Sequence, residues 1–257
     1  MHAMRKLLSL CALGLWATTA QAGSIPKDPW QSPMWEYLAE DTFGEKAEIS
    51  IDNRIKIYVP LDAEDNFQVP VSVDASALGK VEEIVLMTDL NPFPIAARFY
   101  PKSAKPYFAT RVKLNEGSVI HAIARTPDGK WHMTGSFVRA DGGGCAAPSV
   151  QMASSDWSDH LLEVQGKVWA QKDGYNRLRL RIRHPMDTGL SGNVATFIIE
   201  EVNVFDQNDK LLARFEPKEP VSEDPVLTFE LPKSSGPLRV TGRDNNGNDF
   251  DIKVETQ

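Results

Sequence analysis

From residue 48 onward, apolar and polar positions alternate in short runs separated by turn residues. In the first half the runs cover 48–59, 67–73, 81–87, 95–99, 107–114, 118–125 and 131–138. They are rich in β-branched and aromatic residues, and Asp128-Gly129 between the last two supplies a hairpin turn. After a polar stretch at 149–159 a second series covers 161–170, 177–183, 194–205, 211–215, 226–231, 238–242 and 250–254. Asn245, Asn246 and Gly247 form a turn before its last member. Only 35–43 reads as a helix, packed through Trp35, Leu38 and Phe43. Short strands with regular turn signals are the pattern of a β-sandwich, and the chain carries two such sets. The expected fold is all-β: two sandwich domains in tandem after a short N-terminal helical segment.

The segment before this pattern is different. Arg5 and Lys6 precede an apolar run from Leu7 to about Trp16, and Ala20-Gln21-Ala22 follows as a small-residue cleavage site. This is the layout of a secretory signal peptide, too short in its apolar core to span a bilayer. The expected divisions are 1–22 signal peptide, 23–141 first sandwich, 142–159 cysteine-bearing linker and 160–257 second sandwich. No later run is apolar enough to span a membrane, so an exported, soluble chain is expected. Loss of Arg5 and Lys6 takes the formal charge from −7 to about −9, which disfavours nucleic acid as a partner.

Cysteine usage sharpens the picture. Cys11 lies within the signal peptide, which leaves Cys145 as the single thiol of an exported protein, where cysteines are ordinarily paired. It sits in FVRADGGGCAAPS, residues 137–149. Gly142, Gly143 and Gly144 before it, with Ala146 and Ala147 after it, describe either an incidental linker or an arm. Residues 140–144, extended at ~3.3 Å per residue, would carry the thiol ~16 Å from the preceding strand. Pro148 limits flexibility on the far side. A thiolate is a strong nucleophile whose bonds to sulfur form and break readily. The nearest charged residue in sequence, Asp141, has the wrong sign to lower a thiol pKa, so local sequence offers no activation.

Other chemistry is sparse. His121, His132, His160 and His184 have no metal-ligand spacing, and HExxH, GxSxG, Walker, CxxC and CxxCH patterns do not occur. Neither a metal nor an organic cofactor is expected, and neither is independent catalysis. Asn91, Pro92, Phe93 and Pro94 form a stiff extended element that reads either as a shelf for the arm or as a plain inter-strand turn. His184, Pro185 and Met186 either end a strand or pack at the domain junction beside the arm.

Three segments in order carry a resemblance. FVRADGGGCAAPS resembles the sulfur-carrying segment of the SoxY family, the carrier half of the periplasmic SoxYZ complex of thiosulfate oxidation. LMTDLNPFPIAARF, residues 86–99, is similar to the Asn-Pro-Phe-Pro segment of the same proteins. RLRIRHPMDTGL, residues 179–190, resembles the strand and loop near the start of SoxZ. The whole is similar to a SoxY–SoxZ fusion, in particular the type found with quinoprotein dehydrogenases. The resemblance implies two immunoglobulin-like β-sandwiches and a periplasmic carrier, with Cys145 on a swinging arm as the covalent attachment point. Implied partners are periplasmic redox proteins: a quinoprotein dehydrogenase that uses pyrroloquinoline quinone, a c-type cytochrome, or Sox-type enzymes. A scaffold for such a dehydrogenase with Cys145 incidental, and a Cys145-linked homodimer, are the competing readings. In the family the arm is a free chain end, whereas here a whole second domain follows Cys145.

Overall fold

The computed structural model describes residues 24–149, 152, 155–192, 195–233 and 236–256. The expected signal peptide lies outside them. The helix α1 (Trp35–Phe43) is followed by fifteen strands in the described residues. In the first half these are β1 (Ile49–Ile51), β2 (Lys56–Tyr58), β3 (Val69–Asp74), β4 (Glu83–Thr88), β5 (Ile95–Tyr100), β6 (Tyr107–Val112), β7 (Ser118–Arg125) and β8 (Trp131–Val138). In the second they are β9 (Val164–Ala170), β10 (Tyr175–Ile182), β11 (Ile199–Phe205), β12 (Leu211–Pro217), β13 (Val226–Pro232), β14 (Leu238–Asp244) and β15 (Asp249–Val254).

The run at 48–59 is a correction. It holds two short strands in different sheets, because Asp52 turns the chain: its carboxylate accepts the Arg54 backbone N–H and its carbonyl the Ile55 N–H. The other runs lie close to where alternation predicts them, except that 194–205 holds a strand only over Ile199–Phe205, with residue 194 outside the described residues.

Two sheets face each other. One has nine strands in the order β1-β8-β7-β4-β5-β12-β11-β14-β15, the other six in the order β2-β3-β6-β13-β10-β9. Both sheets run without interruption from the first half into the second. β5 pairs antiparallel with β12, setting Phe99 opposite Phe215, and β6 pairs with β13, setting Phe108 opposite Phe229. The four rings are buried together between the layers. Phe99 lies 5.3 Å from Phe108 and stacks on Phe229 at 5.5 Å, and Phe215 lies 5.4 Å from Phe108. One apolar core therefore spans both halves. Each half uses the other to cover strand edges that would otherwise template aggregation.

The first-half part of the nine-stranded sheet is covered on its outer face as well. Trp35, Leu38 and Ala39 of α1 pack with Val85, Met87, Ile123 and Met133 of β4, β7 and β8. β4 is accordingly buried at every position, the pattern of a strand enclosed on both faces. His121 on β7 anchors this layer: its Nδ1 faces Asp89 at 3.0 Å and its Nε2 faces Asp28 of the N-terminal segment at 3.2 Å. With a carboxylate at each ring nitrogen, the imidazole donates to both only when charged. No helix among the described residues is long and apolar enough to cross a membrane.

Candidate functional site

The segment expected to form an arm lies against the body of the protein. Cys145 is 1% exposed, which overturns the expectation of a thiol held away from the body. The cause is a set of long-range partners. The Gly143 and Gly144 N–H groups donate to the Asn115 and Leu114 carbonyls at 2.9 and 3.0 Å. Asn66 Nδ2 donates to the Gly142 carbonyl at 3.1 Å, and the Cys145 thiol lies 3.7 Å from the Lys113 carbonyl. The arm thus lies along residues 113–115, just beyond β6.

The glycines are required by this close approach. A Cβ on Gly144 would meet the Leu114 carbonyl oxygen at 2.6 Å and collide with that of Asn66. Gly142 has φ of +105° and lies against the Asn115 carbonyl. Ala146 beyond the thiol is exposed and Ala147 half-buried.

The second domain supplies the other wall. Thr188 Oγ1 donates to the Cys145 carbonyl at 2.7 Å, and the Ser149 N–H donates to Asp187 at 3.1 Å. The His184-Pro185-Met186 segment shapes this wall. His184 Nδ1 accepts the Met186 N–H at 3.0 Å, and Met186 adopts a positive φ of 44°. The Met186 carbonyl then accepts Lys113 Nζ at 2.6 Å. Burial holds His184 down to about 4, against the pull of Asp244, so the ring stays neutral. Its place is structural, beside Phe197 at 4.5 Å.

Within the Asn-Pro-Phe-Pro segment, Asn91 reaches the dock. Its Nδ2 donates to the Lys113 carbonyl at 2.7 Å and its Oδ1 accepts the Asn115 N–H at 2.9 Å, which fixes the edge that receives the arm. Pro92, Phe93 and Pro94 form the turn between β4 and β5, closed by the Thr88 N–H on the Pro94 carbonyl at 2.7 Å.

Sequence reasoning passed over Lys113, Thr188 and Asn66. Lys113 is 5% exposed and faces Cys145 electrostatically. Burial pushes its ammonium below the ordinary lysine value, while Cys145, Glu223, Asp187 and Glu219 oppose that shift. Burial raises the Cys145 thiol from 9.0 to about 11, against the pull of Lys113. Docked, the thiol is buried, and its raised value favours the protonated form at neutral pH. Among the described residues no group of three or more His, Cys, Asp or Glu side chains is placed to hold a metal ion.

Residues 39–145 match the family described as sulfur oxidation protein SoxY, and residues 165–255 match sulphur oxidation protein SoxZ. The chain carries a SoxY domain followed by a SoxZ domain. The SoxY match ends on Cys145 itself. The junction where the two walls of the dock meet is therefore the SoxY–SoxZ junction. No curated protein matches the chain. Among solved structures, the sulfur carrier protein SoxY from Chlorobium limicola f thiosulfatophilum is 24% identical over 41% of this chain and 94% of its own, with a TM-score of 0.36. A β-glycosidase from Bacteroides vulgatus is 10% identical over 79% of this chain but 24% of its own, with a TM-score of 0.23.

Proposed function

We propose that this protein is a carrier that holds a sulfur intermediate covalently on the Cys145 thiol and presents it to separate redox enzymes. The observation that carries the reading is the docked arm, whose one free thiol is sheltered in a seat built jointly by the SoxY and SoxZ domains. Beside the long thiol contact of Cys145 with the Lys113 carbonyl, four N–H or O–H hydrogen bonds to the arm must break for release: Gly143 to Asn115, Gly144 to Leu114, Asn66 to Gly142 and Thr188 to Cys145. At about 1 kcal/mol each this costs about 4 kcal/mol, an opening open to a partner that binds the released arm. Once released, the thiolate attacks a cargo sulfur that bears a leaving group. The S–S bond forms as the leaving group departs with its electron pair, so loading by exchange needs no oxidant.

The carrier is non-enzymatic in this reading, exported to the periplasm, and served by Sox-type enzymes. A quinoprotein dehydrogenase or a c-type cytochrome is the partner suggested by the resemblance to the fused type. The test is intact mass of protein taken from its native compartment without reductant, followed by peptide mapping. An added sulfur species on the peptide of Cys145, with loss of pathway activity in Cys145→Ser, is expected. Unmodified thiol throughout, with full activity in that variant, overturns the reading.

Burial of Cys145 favours a second reading, in which the protein is a scaffold for a quinoprotein dehydrogenase and the cysteine is a packed core residue. Cys145→Ser would then be silent, while substitutions on exposed sheet faces would weaken co-purification with the dehydrogenase.

A further inference from the structure

The outer face of the six-stranded sheet carries a basic concavity of about 590 Å³ at the SoxY–SoxZ junction. Its cations come from both domains: Arg111 and Lys113 from β6 and its continuation, Arg179 and Arg181 from β10. Strand alternation explains the clustering. In RLRLRIR the leucines and isoleucine point into the core, so arginines 177, 179, 181 and 183 share the outer face. β13 lies between β6 and β10, and its outward residue opposite Arg181 is Val226, a short side chain that leaves a trough between arginine walls.

The lining holds four cations against three carboxylates, Asp65, Glu223 and Asp224, an excess of one positive charge. Asp224 is occupied by Arg181 at 2.8 Å and by the His184 N–H, and Asp65 accepts the Phe67 N–H at 2.8 Å. Glu223 opposes the lowering of the Lys113 ammonium. Arg111 and Arg179 make no side-chain hydrogen bond or ion pair among the described residues. Lys113, more than nine-tenths buried, has one hydrogen-bond acceptor, the neutral Met186 carbonyl, for its three donors. A buried ammonium without a hydrogen-bonded anion, beside two free guanidiniums, is the donor set for a tetrahedral oxyanion. It stands on a chain whose formal charge is −7, so the local sign runs against the whole.

We propose that this trough binds a free tetrahedral oxyanion of the sulfate class non-covalently, held by Arg111, Arg179 and Lys113. The ligand is distinct from anything bonded to the cysteine, since the trough is lined by Asp65, Phe67, Gln68 and these cations and not by Cys145. Lys113 joins the two places: the residue lines the trough, and its ammonium interacts with the docked thiol.

The test is calorimetric titration of the reduced full chain with sulfate, thiosulfate and phosphate at fixed low ionic strength, with chloride as the control. One saturable site for sulfate or thiosulfate is expected. Arg111→Gln and Arg179→Gln should each weaken it at least tenfold, and Cys145→Ser should leave it unchanged. Equal binding of phosphate supports the site as one for tetrahedral dianions in general. Chloride competing as well as sulfate, the absence of a saturable site, or full affinity in the double arginine variant overturns the proposal. Because Cys145→Ser abolishes covalent loading but not this site, failure here and failure of the carrier reading are separately visible.

Discussion

Thr188 Oγ1 donates a 2.7 Å hydrogen bond to the carbonyl oxygen of Cys145, reaching from the SoxZ domain to the last residue of the SoxY match. Through this bond the second domain directly holds the arm of the first. Thr188→Val keeps the shape and removes the donor. Alkylation of Cys145 by iodoacetamide at neutral pH should rise about tenfold, in line with ~1–1.5 kcal/mol per hydrogen bond. An unchanged rate would show that the arm is held elsewhere.

The glycine at 144 is sterically obligatory. With a Cβ meeting the Leu114 carbonyl at 2.6 Å, Gly144→Ala should keep the arm from docking while sparing the sandwich. The expected result is a thiol titrated by Ellman's reagent as fast as a small-molecule thiol, with little change in Tm. A thiol as slow as in the unaltered chain would refute the docked geometry.

Thiol reactivity should carry a specific pH signature. The docked thiol titrates near 11 and an exposed one near 9.0, so at neutral pH docking lowers the thiolate fraction about a hundredfold. Because the docked value is the raised one, the protonated thiol stabilises docking fully below pH 9. That contribution is lost as pH climbs from 9 through 11. The alkylation rate should therefore keep rising between pH 9 and about 11, where that of a free thiol has levelled off. A profile with a plain midpoint near 9 would contradict it.

The N-terminal layer should respond to pH in the opposite region. Burial disfavours the charged His121, but hydrogen bonds to Asp28 and Asp89 outweigh it and raise the imidazolium above 6.5. Burial likewise opposes the charged Asp28, but His121 and the Ser32 and Trp30 N–H groups outweigh it and hold the carboxyl below 3.8. The histidine's contribution is present below 6.5 and is lost as pH rises through its raised value. The aspartate's is present above 3.8 and is lost as pH falls through its lowered value. Protection of α1 in hydrogen exchange should thus be greatest at mildly acidic pH, and Asp28→Asn should flatten that dependence.

Most of the strands are legible in the sequence because period-two alternation reports one buried face. The helix Trp35–Phe43 is legible through its spaced apolar residues. The continuity of the sheets is not, because Phe99 and Phe215 look like any inward aromatic until β5 and β12 pair. The site divides in the same way. Cys145 and its glycines stand out by composition, whereas the dock depends on Asn66, residues 113–115 and Thr188, which are distant in the chain and individually ordinary. Lys113 carries no mark in the sequence, because its burial depends on the distant Met186 turn, whose carbonyl accepts its ammonium.

Unfolding should reflect the shared core. Phe229 is fully buried against Phe99 and Phe215 and lies opposite Phe108 in the β6–β13 register, so Phe229→Ala should cost about 3–5 kcal/mol. It should lower a single cooperative transition by calorimetry. Two separate transitions, with only the later one moved, would show that the halves fold independently.

The pairing of β5 with β12 and of β6 with β13 occurs within one covalent chain. A complex of two separate subunits falls apart on dilution and can exchange members, with its composition set by how much of each is made. Here the ratio of the two domains is fixed at synthesis and no subunit exchange can occur. The seat for the thiol therefore persists at any protein concentration.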